Sequence, residues 1–211
     1  MIKATNLFNQ WADSGKDHGM ALNHSPSVDF MLDLIPNSIL KNPFSFMDIG
    51  CGNGWVVKKV SEYKNCIYAL GIDGAEKMIK KAMLHDDKSK YLELDINNLE
   101  LYNSQNNLGV EYFDIILSME VLYYLMSPEV TLKYLHSKLL NQGGCCIIGV
   151  DHYLENTPSL SWKYDLNVDM CTYSISEWKD IFIRAGFINV KTLQYGAKKN
   201  WKGTLVIYGE K

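Results

Sequence analysis

Three observations place this chain in the α/β class. Apolar runs of strand length alternate with stretches of helical period along most of its 211 residues. One run, Phe44-Ser45-Phe46-Met47-Asp48-Ile49, passes straight into Gly50-Cys51-Gly52-Asn53-Gly54-Trp55 and then into a helical stripe. The last two strand-like runs, residues 187–195 and 201–208, are joined by only a few residues and so pair as antiparallel neighbours. The length fits one domain spanning residues 1–211 with a sizeable core. Residues 1–42 form an N-terminal helical part and residues 43–211 the α/β core.

The N-terminal part is patterned. Phe8, Trp11 and Ala12 stand at i, i+3 and i+4, the stripe of a short helix. Residues 13–20 are polar with two glycines and read as a loop. Ser27 reads as the N-cap of a second helix, with Val28, Met31, Leu32 and Ile35 inside and Pro36 near its end. Two readings stay open: a packed extension, or a lid over whatever the core binds.

The glycine-bearing stretch is the centre of the core. Glycines remove Cβ atoms, so the backbone adopts unusual angles and a ligand lies close against it. A strand, a glycine turn and a helix N-terminus together suit a nucleoside-bearing ligand. Val56, Val57 and Val60 then give a buried helical stripe. The second strand, residues 66–72, ends in Asp73, 23 positions beyond Gly50. That is close to the offset of ~20 at which such folds place an acid on ribose hydroxyls. A lysine-rich helix over 76–85 leads to a third strand, Tyr91-Leu92-Glu93-Leu94, which ends in Asp95. Residues 97–109 are Asn-rich and read as a short helix and surface loop.

The fourth strand begins at Phe113 and brings Ser118, Met119 and Glu120 to its carboxyl end, where an open α/β sheet forms its crevice. A helix over 128–140 and a turn at Gly143-Gly144 precede a fifth strand, residues 145–150, ending in Asp151-His152-Tyr153. A loop holding Trp162 and Tyr164 follows, then a helix opening at Ser176-Glu177-Trp178 and closing at Ala185-Gly186.

Composition removes several classes. A net charge of −3 gives no electrostatic pull toward nucleic acid or anionic membrane. Arg184 is the only arginine, so bidentate reading of phosphate or guanine is scarce, against sequence-specific nucleic-acid binding. The cysteines 51, 66, 145, 146 and 171 are odd in number without a Cys-x-x-Cys pair, which suits reduced thiols in the cytoplasm. The histidines lack zinc-like spacing, and no apolar run reaches the ~18 residues of a membrane span.

The stretch Met47-Asp48-Ile49-Gly50-Cys51-Gly52-Asn53-Gly54 resembles the first motif of the class I S-adenosylmethionine (SAM)-dependent methyltransferases. Trp55 stands where a dinucleotide-binding turn places a third small residue, which disfavours a nicotinamide oxidoreductase. The resemblance covers residues 44–211. It implies a three-layer, doubly wound, seven-stranded sheet, mostly parallel with one antiparallel strand. It implies a SAM site with Asp48, Gly50, Cys51 and Gly52 near the methionine part and Asp73 with Gly74 at the ribose. Asp95 and Ile96 would flank adenine, and Ser118 with Met119 would close the pocket. Residues 118–121 lack the Asn/Asp-Pro-Pro-aromatic tetrad of amino-methylating enzymes, and Asp151-His152 lacks the Asp-Asn pair of magnesium-dependent ones. The expectation is therefore a small-molecule acceptor, with a peptide side chain second, no metal, and a monomer or homodimer. A SAM-binding module without catalysis is the other reading.

Methyl transfer is an in-line displacement, so the protein's main task is positioning and desolvation. A base is needed only for an acceptor that arrives protonated. His152 is the first candidate, with His24 and His18 next, because imidazole titrates near neutrality. The N-terminal part would add Trp11 and Lys16 to the cofactor, Lys16 for its carboxylate, and Met20 to the acceptor wall. Glu120, Tyr123, Tyr124 and Tyr153 would complete that wall.

Overall fold

The computed structural model describes residues 1–103 and 108–211. Helix α1 (Ala4–Ser14) ends at Gly15, whose φ of 74° closes one helix and lets the next begin at once. Helix α2 (Lys16–Asp33) therefore occupies most of the stretch expected to be a loop. Gly19 lies within the helix, although glycine there costs about 1 kcal/mol relative to alanine. A single stripe explains why the helix persists: Asp17, Met20, Ala21, His24, Val28 and Met31 repeat at three- and four-residue intervals. Ser27 is not a cap. It is buried in mid-helix and shares a 2.7 Å hydrogen bond with the Thr204 hydroxyl. Val28, Met31, Leu32 and Ile35 are buried as expected.

After α3 (Asn37–Leu40) the chain enters strand β1 (Phe44–Ile49), then α4 (Trp55–Ser61), β2 (Cys66–Asp73), α5 (Glu76–His85) and β3 (Lys90–Glu93). A 3₁₀ turn (Ile96–Asn98) and α6 (Leu99–Asn103) follow; residues 104–107 of the Asn-rich loop lie outside the described residues. Strand β4 (Phe113–Met119) leads to a 3₁₀ turn (Leu122–Tyr124) and α7 (Pro128–Tyr134), which widens into a π-turn (Leu135–Leu139). Strand β5 (Leu140–Val150) starts earlier than expected. Its pairing with β4 jumps from Phe113–Leu140 to Ile115–Cys145, so Gly143 and Gly144 sit in a bulge. The loop expected around Trp162 and Tyr164 contains a 3₁₀ turn (Thr157–Ser161) and α8 (Trp162–Asp165). Helix α9 (Ile175–Ala185) is opened by a capping box in which Ser174 and Glu177 satisfy each other's backbone N–H. Strands β6 (Ile188–Tyr195) and β7 (Thr204–Glu210) end the chain.

The seven strands form one sheet in the order β3-β2-β1-β4-β5-β7-β6. All pairings are parallel except those of β7, which runs antiparallel to both β5 and β6. Side chains alternate between two apolar layers. Met47, Ile116, Cys146 and Ile207 enter one layer with Trp178, Ile181 and Leu132 from α9 and α7. Phe46, Ile115, Cys145 and Val206 enter the other with Val28 and Met31 of α2 and Val57 of α4. This is the doubly wound, three-layer arrangement expected. Helix α1 adds a small cluster in which Phe8, Trp11 and Ala12 meet Ala75 and Met78.

Candidate active site

A cavity of about 530 Å³ opens at the carboxyl ends of β1, β2 and β4, beneath α1 and α2. Its floor is the glycine turn. Gly50 has φ of 74°, and a Cβ there would stand 2.1 Å from Val121 Cγ2, so only glycine fits. Gly52, at φ 53°, faces open space, which is a cradle for a ligand pressed on the backbone. Its N–H donates to Asp73 Oδ2 at 2.9 Å, fastening the turn to the end of β2. Ala75 N–H donates to Asp73 Oδ1 at 2.8 Å.

Three acids line this end. Burial raises the Asp73 pKa, opposed by the N–H groups of Ala75 and Gly52. Burial and the neighbouring Asp73 push Asp48 up to about 8. Two buried carboxyls side by side form a place that favours a cation. Asp95 is exposed and caps the next turn, accepting from Asn97 N at 3.0 Å and from Asn97 Nδ2 at 2.9 Å. Met78, Ile96 and Met119 supply apolar wall.

The opposite end is assembled from distant parts of the chain. Helix α2 contributes Asp17, Met20, Ala21 and His24 to the cavity, one turn of its inner face after another. Glu120 enters from the end of β4 with φ of 62°, a left-handed backbone that is costly for a non-glycine residue. Its N–H donates to Gly149 O at 2.8 Å, and its carboxyl accepts from Tyr123 OH at 2.8 Å and from the Asp151 N–H. Burial, then the nearby Asp151, raises its pKa well above the usual carboxylate range. Burial also raises Asp151, opposed by the Thr204 hydroxyl and by His24. His24 is lowered by burial, with Asp151 pulling the other way.

Of the residues singled out from sequence, Asp48, Gly50, Cys51, Gly52, Asp73, Gly74, Asp95, Ile96, Met119, Met20, Glu120, Tyr124 and His24 share this cavity. The others do not line it. Lys16 is exposed and lies 5.6 Å from the Trp11 ring centroid, and Trp11 packs between α1 and α5. His18 is exposed, on the outer side of α2. The Ser118 hydroxyl donates to Ile49 O at 2.8 Å, tying β4 to β1. Tyr123 supports Glu120 from behind, and Tyr153 OH donates to Gly203 O at 3.0 Å.

His152 is buried away from the cavity. Its Nδ1 lies 3.0 Å from Ser159 O and its Nε2 2.8 Å from the Thr172 hydroxyl. A carbonyl only accepts, so Nδ1 carries the proton and Nε2 accepts from Thr172 in the neutral ring that burial favours. Its first rank as a base is corrected on that geometry.

Asp17 was missed. Burial would raise it, but bonds from Lys81 Nζ at 2.7 Å and Asn53 Nδ2 at 3.0 Å outweigh this and hold its pKa low. The available signal was the stripe from residue 17 to residue 31, which passes unbroken through Gly19 and Pro26. Residues 1–5 were missed as well. They line the cavity mouth, and Ile2 N–H donates to Asn167 O at 2.8 Å beside Val168.

With the fold and this geometry in place, the comparisons agree. The chain belongs to the methyltransferase domain family, whose model matches residues 17–192, and so to the class I SAM-dependent methyltransferases. It is similar to the malonyl-[acyl-carrier protein] O-methyltransferase of Anoxybacillus flavithermus, 29% identical over 116 residues, 54% of this chain and 41% of that one. It is similar also to the tRNA U34 carboxymethyltransferase of Vibrio campbellii, 31% identical over 134 residues, 60% of this chain and 38% of that one. The chain thus matches about two fifths of the length of these curated relatives. Among solved structures, a protein in complex with the Haloferax volcanii Trm112 methyltransferase activator shares the fold. Its TM-score is 0.78 at 23% identity, with 96% of each chain covered. PigF, solved with SAH (S-adenosylhomocysteine), gives a TM-score of 0.70 at 18% identity, covering 100% of this chain and 63% of that one.

Proposed function

We propose that this chain binds SAM along the glycine turn and transfers its methyl group to a small-molecule acceptor held beneath α2. One observation carries the reading: the glycine turn, Asp73 and Asp95 share a single cavity that continues past them to Met20, His24 and Tyr124. The residues fit the cofactor. Gly52 leaves open space where any other residue would place a Cβ, and among the described residues each Asp73 oxygen accepts one hydrogen bond, leaving capacity for a ribose diol. The Asp48–Asp73 pair favours a cationic ligand, and Met78 and Ile96 suit an adenine face.

When bound, SAM supplies a methyl on a sulfonium with a good leaving group. The protein's own work is placement. Asp73 holds the ribose, Asp95 and Ile96 bracket the base, and Met20, Glu120 and Tyr124 set the acceptor against the methyl in a water-poor cavity. Residues 1–5 with α1 and α2 form the cover. Calorimetry with SAH and with NADH tests the cofactor. Micromolar SAH binding with no NADH binding is expected, and the reverse order overturns the reading. A SAH-release assay over alcohols, phenols, amines and a peptide mixture then separates the acceptor classes. Binding without release from any of them favours the non-catalytic module.

A further inference from the structure

We propose that His24 and Asp151 form a proton-accepting pair at the acceptor end of the cavity, positioned by Thr204 and Ser27. This rests on the reading of the cavity as a methyl-transfer site and adds the chemistry of its acceptor, a group that arrives carrying its proton.

The pair is built by parts of the chain far apart in sequence. His24 projects from α2 into the cavity. Asp151 stands at the carboxyl end of β5 and is only 8% exposed. One of its oxygens, Oδ1, is buried without a hydrogen-bond partner among the described residues, an arrangement that is costly unless a donor or positive charge is presented to it. The register of β5 and β7 pairs Val150 with Leu205, which sets Thr204, at the start of β7, beside Asp151. Ser27, one turn beyond His24 on the same helix, shares its hydrogen bond with Thr204 at 2.7 Å. The Ser27–Thr204 bond therefore ties the strand end beside Asp151 to the helix that carries His24. The Asp151 N–H is in turn held by Glu120.

The neighbouring titratable groups do not replace the pair. On α2, Asp17 is engaged by Lys81 and Asn53. Glu120, after β4, is committed to Tyr123 and the Asp151 N–H. Asp48, on β1, lies in the glycine-turn end, and Tyr124 is a phenol whose burial opposes ionisation. His24 is the imidazole that burial keeps in its basic form, and Asp151 is placed to stabilise the imidazolium. As the acceptor heteroatom bonds to the methyl carbon, the carbon–sulfur bond breaks with its electron pair left on sulfur. The acceptor's proton passes to His24. Asp151, Thr204 and Ser27 are positioning residues.

The test follows the His24 ring by NMR in the full chain with ¹⁵N-labelled histidine, titrated with and without SAH. Asp151→Asn should lower the His24 midpoint by roughly one to three pH units, the effect of removing an adjacent opposite charge. Thr204→Val should lower it by less, and Thr204→Ser should restore it, which keeps the test decisive should the asparagine variant unfold. An unchanged midpoint in both Asp151→Asn and Thr204→Val overturns the pair. SAH affinity should stay within about threefold in all of these, since none touches the glycine turn. A wild-type chain that fails to bind SAH refutes the cofactor reading while leaving the coupling measurement valid. For any phenol or amine that is turned over, SAH release should fall below the His24 midpoint, and a pH-independent rate excludes the proton-accepting role.

Discussion

The two ends of the cavity are built in opposite ways. At the glycine-turn end, Asp48, Gly50, Gly52, Asp73 and Asp95 lie within 48 consecutive positions, each at or just after a strand's carboxyl end. Once parallel strands align, their ends converge with no further instruction. At the end beneath α2, proposed to hold the acceptor, His24, Glu120, Asp151 and Thr204 come from α2, the turn after β4, the end of β5 and the start of β7. None of these four neighbours another in sequence, so only the packing of α2 across the sheet brings them together. A motif reports a site that one local unit builds; it is silent about a site that long-range packing builds.

The sharpest break of this comparison is Gly50→Ala. A Cβ 2.1 Å from Val121, on a backbone at φ 74°, should cost roughly 2–5 kcal/mol of stability and abolish SAH binding. Chemical denaturation and calorimetry read both, and a fully stable variant that binds would show that the turn tolerates a side chain.

Next in size, Asp73→Ala should weaken SAH binding by about 1.5–3 kcal/mol, because a charged hydrogen-bond acceptor is lost. His24→Ala should leave that affinity nearly unchanged while removing turnover. Equal losses from both variants would erase the division into two ends.

A third expectation concerns pH. Asp48 has an ordinary value of 3.8 and is pushed up to about 8 in the fold. The folded state therefore holds a proton that the unfolded chain releases. Its contribution to stability is complete below pH 3.8 and is lost as pH rises through 8. Without ligand, Tm should fall progressively between pH 5 and 8.5, and Asp48→Asn should flatten that slope. A Tm rising over the same window in the wild type, relative to Asp48→Asn, would contradict the assignment.

The smallest effects belong to the cover. Amide exchange over residues 2–30 should slow when SAH is added, with α2 and the Ile2 contact most affected. Lys16→Ala should change SAH affinity by less than about 0.5 kcal/mol, because that lysine is exposed beside Trp11. A tenfold loss from Lys16→Ala would mean that the side chain swings inward on binding.

The sequence alone determined the α/β class, the seven strands, the antiparallel β6–β7 pair and most of the residues that meet at the glycine-turn end of the cavity. Those features rest on local signals: period two or 3.6, glycine at positive φ, an acid closing a strand. Its errors share one cause. Residues 13–20 looked like a loop because Gly15 and Gly19 are weak helix formers, and burial of the 17–31 stripe overrode that weakness. His152 looked catalytic because it stands at a strand end, yet the fold turns its ring toward Ser159 and Thr172. Only the tertiary structure decided which imidazole meets the cavity. That choice depends on which side of α2 faces the sheet and on where β7 places Thr204, 177 residues beyond Ser27. No local pattern encodes a contact of that separation; the burial of two apolar layers against one sheet does.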